Sequence, residues 1–121
     1  MPKNGRFRYG APMGHRASQD FESSRRFQVW LYTVSHAQLL LRSTKTGDHA
    51  TRIDLLFKNV RSLNLPTATD GLRVREVERG VYQLNGPDWQ GLIEAEAFFD
   101  SEDEGEYHEP SPFQGSLPGD V

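Results

Sequence analysis

The stretch from residue 27 to residue 42 constrains the fold more than any other part of this chain. It contains two runs of apolar, β-forming residues joined by a short turn at residues 35–38. Because side chains alternate between the two faces of a strand, the first run places apolar residues on both faces. One face would carry Phe27, Val29 and Leu31, and the other Trp30, Tyr32 and Val34. Both faces therefore need cover from the rest of the protein.

The remaining apolar pattern predicts further short strands separated by turns rich in Gly, Pro and Asn. The predicted strands run over about residues 26–35, 38–44, 52–58, 60–65, 72–78, 81–84 and 91–99. This spacing favours an all-β fold, or a β-dominated fold with at most one short helix. We expect a small antiparallel barrel or sandwich of about six or seven strands with disordered tails.

Residues 52–65 fit either a strand or a helix. Ile53, Leu55 and Phe57 alternate as in a strand, but a set spaced by three and four residues also fits one face of a helix. The strand interpretation is preferred, with a turn or bulge at Asn59. Pro66 would end the segment because its ring removes a backbone donor.

Two later segments have informative patterns. The alternation that starts at Leu72 slips at Glu76 and Val77, which predicts a bulge or an edge position. The last strand alternates most regularly of all. Its predicted inward residues are Ile93, Ala95, Ala97 and Phe99, and its predicted outward residues are Glu94 and Glu96.

Charge divides the chain into three parts. Residues 1–26 carry six basic and two acidic side chains, whereas residues 94–121 carry nine acidic and no Lys or Arg side chains. We therefore expect a disordered basic arm over 1–25, one β domain over 26–99 and a disordered acidic tail over 100–121.

Composition excludes several classes of site and protein. The chain has no cysteine, so it can form no disulfide, zinc–cysteine site or thiol nucleophile. It shows no apolar segment long enough for a signal peptide or a membrane span. These features indicate a small soluble protein, which we expect to be cytoplasmic.

No catalytic or cofactor-binding motif is present, and we expect no enzyme activity, no cofactor and no metal site. Ser35 and His36 are adjacent, but neighbours on a strand point to opposite faces. Asp48, His49 and Asp54 do not match a metal-ligand spacing. A hydrolase whose site is assembled from distant residues remains the third alternative.

A nucleic-acid-binding β-module is the second alternative. Trp30 and Tyr32 could align with basic side chains to form a platform on which single-stranded nucleic acid stacks. The candidate basic residues are Arg52, Lys58, Arg73 and Arg75. The strongly acidic C-terminal part opposes this interpretation because it would repel phosphate.

The preferred hypothesis is a non-catalytic protein-interaction or regulatory module. Acidic and aromatic residues alternate in the C-terminal part, and such segments can fold onto a protein partner. The acidic candidates are Glu102, Asp103, Glu104 and Glu106. A homodimer that packs Trp30 and Tyr32 against their mates would cover the second face of the first strand.

Overall fold

A computed structural model describes residues 16–17, 20–111 and 113 of the chain. These residues form nine antiparallel strands in one sheet. The strands are β1 Arg16–Ala17, β2 Asp20–Thr33, β3 Gln38–Ser43, β4 Arg52–Lys58, β5 Ser62–Asn64, β6 Ala68–Glu78, β7 Val81–Asn85, β8 Gln90–Glu94 and β9 Ala97–Asp103. The all-β prediction is thus confirmed, with nine strands in the described residues where six or seven were expected. Within the described residues, no helix is long and apolar enough to cross a membrane.

The sheet consists of two halves that share the long strand β2. The strand order is β1-β9-β4-β3-β2-β6-β7-β8-β5. Residues 28–33 of β2 pair with β3, and residues 20–28 pair with β6. We call β1-β9-β4-β3 with residues 28–33 the first half-sheet. The second half-sheet is formed by residues 20–28 with β6, β7, β8 and β5.

Two further segments pass from one half-sheet to the other. β4 continues into β5 and β8 continues into β9, and these neighbours pair as β4 with β9 and β5 with β8. Asn59 lies at the first bend with a φ of 55°, a conformation that Asn tolerates better than most residues. The turn predicted at Asn59 is therefore confirmed. The sheet curls until its halves face each other.

The main core fills the space between the two half-sheets. Phe57 and Phe98 stack with ring centroids 4.7 Å apart, and both rings contact Tyr82 of the second half-sheet edge-on. Around this trio lie buried aliphatic residues from both halves: Leu39, Leu41, Leu55, Leu72, Val74, Leu84 and Ile93. Burial of this apolar surface is the main force that holds the halves together.

Strands β3 and β4 are buried on both faces, which explains why residues 52–58 resembled a helix in sequence. Residues 39, 41, 55 and 57 point into the main core. Leu40 and Leu56 point outward into a second apolar cluster with Phe113. A strand that is covered on both sides has apolar residues in both phases, so period-two alternation is lost.

The faces predicted for the first strand are wrong beyond Val29. The register shifts between Val29 and Leu31, so Leu31 pairs with Leu40 on the outer face and Tyr32 pairs with Leu39. A bulge adds one residue to a strand and moves the following side chains to the opposite face. Leu31 is consequently 38% exposed instead of buried in the core.

The inward set predicted for the last strand is also only partly right. Ile93 and Ala95 are buried in the core, but the strand breaks at residues 95–96. There the Ala95 N–H bonds the carbonyl of Gly80, and the Glu96 N–H bonds that of Lys58. The break changes the phase, so Phe98 enters the core and Phe99 faces outward.

The strands extend beyond the domain boundaries expected at residues 26 and 99. β2 begins at Asp20 and β9 ends at Asp103, while β6 begins at Ala68 within a predicted loop. The bulge predicted near Val77 is confirmed by a register shift between Glu76 and Glu78. The disorder predicted for residues 1–15 and 114–121 falls outside the described residues.

Candidate functional site

The part of the outer face of the first half-sheet around Leu40 and Leu56 is covered by the chain segment that follows β9. We call residues 104–111 with Phe113 the strap. The side chains at positions 106–110 of the strap are exposed, whereas Ser111 and Phe113 are buried. Phe113 packs with Leu40, Leu56 and Phe99 of the sheet. The expected acidic tail is therefore docked along its described length.

Two buried arginines hold the strap by its main chain. The Arg42 Nη1–H groups donate to the carbonyls of Tyr107, at 2.8 Å, and Glu109, at 3.2 Å. Arg52 donates to the carbonyls of Glu106, Glu109 and Pro110 at 2.8–3.1 Å. The contacts are made by carbonyl oxygens, which every residue type carries, so this surface recognises main-chain groups of the strap and not its side chains.

Each arginine is also held from the sheet by an aspartate. Arg42 makes two bonds to Asp54, at 2.7 and 3.0 Å, and the two side chains are 2% and 1% exposed. Arg52 makes two bonds to Asp103, at 3.0 and 2.8 Å. This fork-shaped pairing fixes the planar guanidinium and leaves its other N–H groups for the strap.

The strap contains a tight turn that directs its carbonyls at the arginines. The Glu109 N–H donates to the Glu106 carbonyl, and the Glu106 N–H donates to the Glu109 side chain at 2.7 Å. Gly105 precedes this turn, where a Cβ atom would overlap the Arg52 guanidinium. We call Arg42, Arg52 and the apolar site of Leu40, Leu56 and Phe99 the strap groove.

The charges of the strap region are balanced by basic side chains of the same chain. Burial alone would lower the pKa of Arg52, but its hydrogen bonds to Asp103 and the charges of Asp103, Asp54 and Glu109 raise that pKa overall. Lys45 bonds Glu106 at 2.9 Å and lowers the pKa of that carboxyl.

Arg25, in the part of β2 that belongs to the second half-sheet, is a further buried cation. It donates to Ser43, Thr44 and Thr51 and lies 3.9 Å from Glu102. Burial lowers the pKa of Arg25, and the Glu102 charge partly opposes this. Among the predicted acidic residues, Glu102, Asp103 and Glu106 thus have basic partners in this chain, and Glu104 is exposed.

The second candidate surface is an edge at residues 30–33 of β2, which we call the β2 edge. These residues pair with β3 on one side. On the other side, the ladder to β6 ends at Gln28, and the Val29 N–H bonds the Thr67 carbonyl. In the described part of the chain, no strand continues that ladder past Val29.

Large apolar side chains surround the β2 edge. Trp30, Leu31 and Tyr32 are 37–41% exposed, and Val34 in the following turn is 83% exposed. The Arg42 guanidinium lies 5.1 Å from the centre of the Trp30 ring, at a distance typical of a cation–π contact. Trp30 therefore belongs to the β2 edge and also contacts Arg42 of the strap groove.

The structure does not assemble the predicted aromatic and basic platform. Arg52 is buried beneath the strap, and Lys58 lies over the Phe99 ring. Arg73 and Arg75 lie on the second half-sheet, where Arg73 is 3.8 Å from Asp20 and Arg75 bonds Gln83. The cation beside Trp30 is Arg42, which was not among the predicted basic residues.

The residues considered for catalysis or metal binding are also placed separately. Ser35 Oγ lies 3.1 Å from His36 Nδ1 in an exposed turn, and no carboxylate bonds His36 within the described residues. Asp54 is committed to Arg42 instead of to His49. Among the residues that the structure describes, no group of three or more His, Asp or Glu side chains could hold a metal ion.

The strap groove was missed because its signal lies in the strands, not in the tail. Arg42 and Arg52 stand among apolar neighbours in β3 and β4. Since charged residues are seldom fully buried without a partner, an arginine in a central strand indicates a specific polar contact. Phe113, an aromatic residue beyond the acidic run, was the only sequence signal from the strap.

Comparison with known proteins found no matching family model, no matching curated protein and no matching solved structure.

Proposed function

We propose that this protein is a non-catalytic protein-interaction module that binds an extended protein segment at the β2 edge. The bound segment would add a strand to the sheet beside residues 30–33. One observation carries the proposal: three consecutive strand residues with large exposed apolar side chains, Trp30, Leu31 and Tyr32, have an unpaired side within the described chain.

Strand addition suits the chemistry of this edge. A free edge offers backbone N–H and C=O groups to a second chain, and pockets for alternate side chains give selectivity. Native proteins usually protect such edges with charged residues or proline, whereas this edge carries Trp30, Leu31 and Tyr32. The neighbouring strand β3, which pairs with residues 28–33 of β2, is buried on both faces.

A peptide library displayed on phage tests the proposal with the full chain. We expect selected peptides to contain alternating apolar residues, as a strand with one buried face requires. Replacement of Leu31 by Lys should weaken binding of these peptides by about tenfold or more, because the cation would be desolvated at the edge. Fluorescence polarisation with labelled peptides measures the dissociation constant.

Leu92→Lys is the matched control. Leu92 is an exposed leucine of the second half-sheet and lies outside the β2 edge. Its substitution should leave peptide affinity unchanged. The proposal fails if no peptide is enriched above background, or if the two lysine variants weaken binding equally.

A second copy of the chain is one form that the partner segment can take. Two β2 edges related by a twofold axis would pair in antiparallel fashion and cover Trp30 and Tyr32, as an isologous dimer requires. Light scattering of the wild-type protein and of Leu31→Lys tests this form. A dimer that Leu31→Lys converts to a monomer would identify the partner as a second copy.

The alternative functions are not proposed here. Nucleic-acid binding would need exposed arginines beside Trp30 and Tyr32, but Arg73 and Arg75 lie on the other half-sheet. Hydrolysis would need a partner to orient the exposed His36. No specific observation favours either function over protein binding.

A further inference from the structure

We propose that the strap groove is a second, peptide-binding site, and that the protein's own strap occupies it as an internal ligand. The external ligand is an acidic peptide that can form the same tight turn as the strap and carries an aromatic residue at its C-terminal end. This site differs from the β2 edge and goes beyond the function proposed above. Its occupation by the strap would make binding autoinhibited.

The groove recognises features that a peptide from another protein can supply. Five hydrogen bonds from Arg42 and Arg52 end on main-chain carbonyls of the strap. The strap side chains at positions 106–110 are exposed and take little part in this contact. Among the described strap residues, Phe113 places its aromatic ring in an apolar site of the sheet. The groove thus requires a backbone turn that presents its carbonyls to the arginines, and one aromatic anchor.

The donors of the groove are positioned by residues of the sheet. Asp54 in β4 fixes Arg42, and Asp103 in β9 fixes Arg52, each with two hydrogen bonds. Trp30 supports the Arg42 guanidinium from another side. Because these partners precede the strap in the chain, release of the strap leaves both arginines oriented. A preorganised site loses less entropy when it binds a ligand.

Charge complementarity explains the preference for an acidic peptide. Lys45 bonds Glu106 of the strap at an exposed position at the rim of the groove. A carboxylate at the matching position of an external peptide would make the same contact. The strap competes at a high effective concentration because it belongs to the same chain. External peptides therefore bind well only when the strap is weakened.

A synthetic peptide with the sequence of residues 104–113, EGEYHEPSPF, tests the proposal. The peptide is labelled with fluorescein and titrated with the full-length protein. We expect Phe113→Ala to bind the peptide about tenfold or more tightly than the wild type, because weakening the strap increases the fraction of open groove. A peptide with alanine in place of its phenylalanine should not bind either protein.

Tyr107→Ala is the matched control for the strap. The Tyr107 side chain is 59% exposed and its carbonyl is kept in the variant, so peptide affinity should equal that of the wild type. If Phe113→Ala fails to fold, Glu109→Ala replaces it. That variant removes the side chain that accepts the Glu106 N–H and so weakens the strap turn without altering the groove.

Three outcomes would overturn the proposal. The first is equal affinity, or no binding, for the wild type and the strap-weakened variant. The second is equal binding of the peptide that lacks phenylalanine, which would indicate attraction by charge alone. The third is a wild-type dimer that the peptide converts to a monomer, since the groove would then bind the strap of a second copy.

Discussion

The outer faces of the two half-sheets differ in how far they are covered by the rest of the chain. The outer face of the first half-sheet is covered by the strap around Leu40 and Leu56, and its Arg42–Asp54 pair is almost fully buried. The outer face of the second is uncovered in the described structure, and its Arg26–Asp70 pair has side chains that are 58% and 75% exposed. The comparison shows that an Arg–Asp pair can position a binding surface when it is buried, whereas an exposed Arg–Asp pair adds little to structure or stability.

The largest difference is expected between Asp54→Ala and Asp70→Ala. Asp54→Ala leaves Arg42 buried without its counter-ion and should lower the free energy of unfolding by about 3 to 5 kcal/mol. Asp70→Ala removes an exposed pair and should cost less than about 1 kcal/mol. Urea unfolding of both variants measures the difference. Equal values would mean that the strap does not isolate Arg42 from water.

The next comparison uses one leucine from each outer face. Leu40 is 2% exposed beneath the strap, whereas Leu92 is 47% exposed on the second half-sheet. Leu40→Ala should destabilise the protein by about 2 to 5 kcal/mol, because it leaves a cavity. Leu92→Ala should change stability by about 0.5 kcal/mol or less. Thermal unfolding tests both values, and a small effect for Leu40 would contradict the buried second cluster.

A smaller effect is expected where the strap passes Arg52. In Gly105→Ala, the added Cβ would overlap the Arg52 guanidinium and should weaken docking of the strap by about 1 to 3 kcal/mol. Gly47→Ala is the control, because a Cβ there meets no atom within 4 Å. Amide hydrogen exchange should accelerate over residues 104–111 in the first variant only. Unchanged exchange would show that the strap does not depend on this close contact.

The smallest effect is expected from pH at the rim of the covered face. Lys45 lowers the pKa of Glu106 from its ordinary value of 4.5. The contact therefore contributes fully above the pKa that Glu106 has in the unfolded chain, and is lost as pH falls through the lower folded value. An NMR titration of the Glu106 carboxyl measures this. Lys45→Met should return the pKa towards 4.5, and an unchanged midpoint would exclude Lys45 as the cause.

The sequence predicted the strands well where their limits depend on residues that are close together in the chain. The turn at Asn59 and the bulge near Val77 were recognisable because turn residues and phase slips are local signals. The strand at residues 52–58 was preferred correctly, although burial on both faces removed its alternation. These features depend on neighbours in the chain, so the sequence carries enough information to find them.

The candidate site was harder to predict because its contacts are distant in the chain and made by the main chain. Arg42 donates to the main-chain carbonyl of Glu109. Because every residue has a carbonyl, the identity of residue 109 does not predict this contact. The acidic composition of residues 100–109 is typical of a solvated tail, and it concealed a docked strap. Arg52 was selected for an exposed platform, but its burial beneath the strap follows only from the fold.

By itself, the sequence determined that the chain folds as antiparallel strands and that residues 27–42 form a central hairpin. Only the tertiary structure decided which face each side chain occupies. The bulge after Val29 and the break at residues 95–96 each change the phase of a strand, which moves Leu31 and Phe99 to the outer face. The physical reason is that alternation has a period of two residues, so one inserted residue reverses every later position.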